Sequence, residues 1–177
     1  MRLKALPLVV LLATAVACST LTTTMDYDKS ANFSSFKTYT IKDDGSVSNP
    51  LLAKRLDAAL TAELGRKGLT RNDSNPDLVV MAHTRLSKET QINTYNSGWG
   101  YGWGWYGGGG GMTTSTVQEI PVGTLIVDLV DVKRKELAWR GTASDTLNPS
   151  ASPEDKEKNL NAAVAKMFEA YPPGAKK

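Results

Sequence analysis

Apolar and polar positions alternate in two distinct rhythms along this chain. In residues 77–92, Leu78, Val80, Ala82, Thr84 and Leu86 fall on one side by period two, the spacing of a strand with one buried face. In 117–132, Leu125, Val127 and Leu129 point one way, and Ile126, Asp128, Val130 and Val132 the other. A turn at 133–136 leads into a partner strand at 137–147. Pro121 and Gly123 predict a bulge or an edge. Shorter strands are predicted at 25–28 and at 33–41, the latter rich in aromatic and β-branched residues.

The second rhythm is helical. Leu52, Leu56, Leu60 and Leu64 recur every fourth residue behind Asn49-Pro50, a cap followed by proline at the first helical position. Gly68 is a natural stop, so a helix is predicted at 50–67. Ser152-Pro153-Glu154-Asp155 opens a second helix, striped by Leu160, Ala163, Val164, Met167, Phe168 and Tyr171 and ended by Pro172-Pro173. A turn falls at 73–76. The order β-β-α-β-β-β-α predicts an α+β fold: two layers, a mostly antiparallel sheet with both helices on one face.

That arrangement assigns Trp139 to the leucine face under the helices. Asp128 and Arg140 then share the opposite face, where they can pair across strands or contact a polar ligand. Val79, Met81, Ile126 and Val130 lie there too, too apolar to be left bare. The candidate covers are a tryptophan-rich stretch of this chain, a partner protein or a second copy.

The N-terminus bears on location. Arg2 and Lys4 precede an apolar run over 5–17, the layout of a secretory signal peptide and too short for a transmembrane helix of ~20 residues. Ala15-Val16-Ala17-Cys18 resembles the bacterial lipobox, with Ala15 where Leu is usual. Cys18 is the one cysteine of the chain, and lipidation accounts for it. Ser19 resembles the outer-membrane case, so a lipid-anchored protein on the periplasmic face of the outer membrane is expected. The expected organisation is a signal at 1–17, a lipidated cysteine and tether at 18–24, one domain at 25–173 and a tail at 174–177.

Charge narrows the partners. Removing Arg2 and Lys4 from 21 Lys+Arg leaves 19 against 18 Asp+Glu, a net of +1. No basic face for nucleic acid is expected.

Residues 97–111 hold three of the four tryptophans and nine of the fifteen glycines. The match of 102–107 to G-x-G-x-x-G is not a phosphate site, because no helix follows and no P-loop lysine is present. Three readings stay open for Trp99, Tyr101, Trp103, Trp105 and Tyr106 in a loop at 97–116. They fold onto the apolar sheet face, bind a protein or glycan, or enter a headgroup layer.

Catalytic patterns are sparse. His83 is the single histidine, on the face away from Leu78 and Val80. Zinc spacing and a nucleophile elbow are both missing from the sequence. Asp26, Asp28, Asp128 and Asp131 are the candidates for a carboxylate pair. No cofactor and no metal is expected.

"DYD" at 26–28, "FSSFKTY" at 33–39, "PDLVV" at 76–80, "GTLIVDLVD" at 123–131, "LAWRG" at 137–141 and "YPP" at 171–173 together resemble bacterial lipoproteins carrying domain of unknown function 4136. The resemblance implies a lipid-anchored envelope protein with this α+β domain and supplies no catalytic residues. The expectation is a non-enzymatic binding or accessory module facing the periplasm. The alternatives are a lipid- or glycan-binding module using the aromatics, and a hydrolase of envelope polymer using the aspartates. Oligomeric state is left open.

Overall fold

A computed structural model describes residues 20–96 and 113–174. The chain forms β1 (Thr22–Tyr27), a 3-10 turn (Phe33–Ser35), β2 (Thr38–Lys42), α1 (Pro50–Arg66), β3 (Thr70–Arg71), β4 (Leu78–Asn96), β5 (Thr113–Asp131), β6 (Glu136–Thr146) and α2 (Pro153–Met167). One sheet runs in the order β1-β6-β5-β4-β2-β3. Its β1, β6, β5 and β4 are antiparallel neighbours, and β2 lies parallel to β4 and to β3. This is the expected α+β architecture with two differences. The strand expected at 33–41 is split, because Ser35 N–H bonds back to the Asn32 carbonyl and curls Phe33–Ser35 before β2 begins. The two-residue β3 is also new, and it is too short to show a period.

Both helices start as the caps dictate. The Asn49 side chain accepts from Leu51 and Leu52 N–H, and Ser152 Oγ accepts from Asp155 N–H at 3.0 Å. Their apolar stripes meet one sheet face. Leu56, Leu60 and Leu64 of α1 and Val164, Met167 and Phe168 at α2 share a core with Leu78, Val80, Val127, Leu129 and Trp139. Trp139 is fully buried, its ring 4.6 Å from Phe168 and edge-on to Tyr171 at 5.6 Å. Leu86, expected on that face, is 77% exposed because it lies beyond the reach of the helices.

Burial pushes the Tyr171 phenol up to about 12 from an ordinary 10.0. A raised phenol stabilises the fold fully below pH 10, and that contribution is lost as pH rises through 12. Over this window the wild type should lose stability relative to Tyr171→Phe by up to about 1.4 kcal/mol per pH unit. Urea midpoints of the two proteins between pH 9 and 12 measure the difference.

Two features of the strands position the surfaces discussed below. Leu129 pairs with Trp139 but Val130 with Leu137, so Ala138 is the extra residue of a bulge in β6. The bulge is therefore not at Pro121 or Gly123. Pro121 marks an edge instead: β6 ends at Thr146, opposite Val122. Beyond that point β4 and β5 continue alone, paired from Ser87↔Val122 to Asn96↔Thr113. Nine residue steps at ~3.4 Å make a two-stranded arm about 30 Å long. The stretch expected as a loop at 97–116 therefore includes strand from Thr113 onward.

The tether is also shorter than 18–24. β1 starts at Thr22, Thr20 Oγ1 donates to Asp145, Leu21 packs against the core, and Lys166 Nζ donates to the Leu21 carbonyl at 3.3 Å. The outer edge of β1 pairs with no other described strand, and the two-residue β3 forms the opposite edge.

Candidate functional site

The helices cover one face of the sheet, and the chemistry gathers on the other. Register places Lys42, Met81, Asp128, Arg140 and Asp26 in one row across β2, β4, β5, β6 and β1. Arg140 grips Asp128 with both ends of its fork: Nε donates to Oδ1 and Nη2 to Oδ2, each at 2.6 Å. This is the expected cross-strand pair, but it is not a surface pair on both sides. Asp128 is 4% exposed, whereas the Arg140 side chain is 48% exposed. The carboxylate's hydrogen bonds and charge raise the guanidinium above its ordinary range, against a smaller opposing effect of burial. The charge that faces outward is therefore a permanent cation on a buried anion.

His83 lies one row further along β4. Its Nε2 is 4.0 Å from Asp128 Oδ2 and its Nδ1 is 3.9 Å from Asp44 Oδ2, contacts too long to be hydrogen bonds. Asp44 arrives from the turn after β2. Gly45 adopts φ 81° there, Gly45 N–H bonds Asp43 Oδ1 at 2.9 Å, and Ser46 N–H bonds Asp44 Oδ1 at 3.0 Å. Ser46, through side chain and backbone, holds the Asp44 carboxyl below its usual range, with the His83 charge as a lesser cause. Asp44 was not among the expected site residues. The one sequence signal for it is the Asp43-Asp44-Gly45 turn signature. Val79, Met81, Ile126 and Val130 surround the cluster and are half-buried.

The four candidate aspartates do not form a carboxylate pair. Asp128 and Asp131 are three residues apart on β5 and face opposite sides. Asp131 is buried and accepts Lys133 and Arg134 N–H, closing the β5–β6 turn. Asp28 accepts from Ser30 and pairs with Arg134 at 2.9 Å. Asp26 accepts the N–H of Tyr27, and Arg140 on β6 stands between it and Asp128. Among the described residues no cluster of three or more His, Cys, Asp or Glu is placed to hold a metal ion. Cys18, Trp99, Tyr101, Trp103, Trp105 and Tyr106 lie outside the described residues. Among the described helices none is long and apolar enough to cross a membrane.

A concavity opens at the β2 side of the helical layer. It holds about 340 Å³ between Ile41, Val47, Ala53, Leu56 and Ala82, with Lys42, Lys54, Asp57 and Arg71 at its rim. Arg71 is occupied there by both oxygens of Asp57, at 3.0 and 3.1 Å.

These features define a class: a two-layer α+β domain whose helices line one sheet face, with a charged cluster on the other. The chain belongs to the family described as a domain of unknown function (DUF4136), whose model matches residues 23–173. No curated protein matches it significantly. Among solved structures it is similar to a PDZ domain protein from Parabacteroides distasonis, at 18% identity and TM-score 0.55 over 90% of this chain. The chain spans 36% of that protein. It is also similar to PelC from Paraburkholderia phytofirmans, solved as a dodecamer, at 14% identity and TM-score 0.50, covering 84% of this chain and 94% of that one. At these identities the likeness concerns the fold alone.

Proposed function

We propose that this chain is a lipid-anchored protein of the cell envelope, held by acylated Cys18 at the periplasmic face of the outer membrane. There it acts as a non-enzymatic binding or accessory module. The observation that supports a binding role is the outer sheet face: half-buried Val79, Met81, Ile126 and Val130 around a half-exposed Arg140 fixed on buried Asp128. Apolar surface around a rigidly held arginine is the make-up of a protein interface. Trp99, Trp103 and Trp105 join it as candidate contacts with an envelope protein or glycan. The hydrolase alternative has little support, since Asp28, Asp128 and Asp131 are each committed to structural partners.

Two measurements test this proposal. Mass spectrometry of the mature N-terminus should find acylated Cys18, and Cys18→Ser should move the protein to the soluble fraction. An unmodified Cys18 in a soluble wild type would refute the anchor. A photoreactive residue at Met81 or Trp103 in intact cells should give a discrete adduct with an envelope component. Adducts confined to the chain itself would refute the binding role.

A further inference from the structure

We infer that the outer half of the β4–β5 arm rests on the bilayer that holds the lipid anchor. The inference builds on the acylated Cys18 proposed above. It comes from where the anchor and the arm leave the sheet. β1 begins at Thr22 opposite Ser144, and Ser144 lies opposite Thr124, which lies opposite Arg85. The N-terminus and the arm therefore depart from the same end of the sheet. Between β1 and β4 stand only β6 and β5, so at ~4.8 Å per strand the two departures are about 15 Å apart.

The tether leaves at most ~7 Å of clearance. Thr20 is held by Asp145 and Leu21 by the core and Lys166, so the chain is fixed from Thr20 onward. Cys18 is two residues before Thr20 and reaches at most ~7 Å from it. The arm extends about 30 Å past the same level. An inclination of the arm toward the bilayer of only about 15° brings its end to the lipid, given those two lengths.

The composition of the arm sets the depth. A two-stranded ribbon has two unpaired edges, and unpaired backbone groups are not tolerated in hydrocarbon. Lys88 and Glu119, paired across the strands at 2.7 Å, also keep the base of the arm in the polar zone. Exposed Val117 offers the apolar contact that an interfacial position favours. The arm lies at headgroup depth and does not cross.

The test uses the full lipidated chain in vesicles of a phosphatidylethanolamine and phosphatidylglycerol mixture. A fluorophore is placed on Val117→Cys, with Thr116→Cys beside it in the outer half as a second reporter and Lys135→Cys at the opposite end of the sheet as the reference. A headgroup-bound nitroxide lipid should remove most of the emission from positions 117 and 116 and leave position 135 unchanged. Equal emission at all three positions in vesicle-bound protein overturns the inference while leaving the anchor intact. Position 117 cross-linking to a second copy without lipid quenching overturns it in favour of a protein contact. Failure of the wild type to carry acylated Cys18 or to float with vesicles overturns the anchor, and the inference with it.

Discussion

Gly141→Ala should cost about 4 kcal/mol, above the usual range for overpacking a core. A Cβ on Gly141 would lie 2.3 Å from Trp139 Cη2, 2.4 Å from Met167 Cγ and 2.5 Å from Met167 Sδ. Met167 is flexible and can move aside. Trp139 cannot: it is fully buried and held between Phe168 and Tyr171. The methyl group must therefore push α2 off the sheet or lift β6 out of register. For a domain stable by some 5–15 kcal/mol this is a large fraction of the total. The urea midpoint should fall sharply. Trp139→Phe alone should also destabilise, yet its combination with Gly141→Ala should cost less than the sum, because the smaller ring leaves room for the new methyl group. Strict additivity would show that the close approach is not the cause.

The second large effect concerns the outer face. Arg140→Ala leaves Asp128 buried without its cation. Breaking a fully buried pair costs 3–5 kcal/mol, and with the Arg140 side chain about half exposed we expect about 2 kcal/mol. Removing both charges is different. Asp128→Val with Arg140→Val should lie within about 1 kcal/mol of the wild type, because an apolar pair on adjacent strands needs no desolvation repaid. Denaturant midpoints of the wild type, Asp128→Val, Arg140→Val and the double variant give the coupling energy directly. The double variant has a second use: it keeps the fold and erases the charges, so loss of a photo-adduct from Met81 would assign recognition to that pair.

Sequence patterns revealed the helices and the face of each central strand because both depend on local periodicity and caps. Asn49, Ser152 and the leucine repeat specify their helices without outside help. The Asp128–Arg140 pair was legible because a two-strand register follows once the turn at 133–136 is placed. Asp44 beside His83 was not: it depends on how the turn after β2 is laid against β4, and β2 joins β4 in parallel across α1. The inner half of the arm falls within the strands expected at 77–92 and 117–132, but its outer half was not legible, because residues such as Thr113-Thr114-Ser115-Thr116 carry no apolar alternation. The short motifs that mark the family mostly have structural jobs. Asp28 pairs with Arg134, Asp77 accepts Lys37 and Thr38 N–H, Asp131 closes a turn and Gly141 leaves room for Trp139. Such motifs identify a fold more readily than an activity.

The unequal edges of the sheet also restrict symmetry. β1 offers six residues of open edge, whereas the opposite side ends in the two-residue β3. A copy joining through β1 uses the edge that it also presents, an isologous contact with a twofold axis. The contact closes at two chains, and the described edges left outward are the two-residue β3 and the two sides of the β4–β5 arm of each copy. Pairing through β1 alone can therefore extend this sheet once and cannot propagate into a fibre.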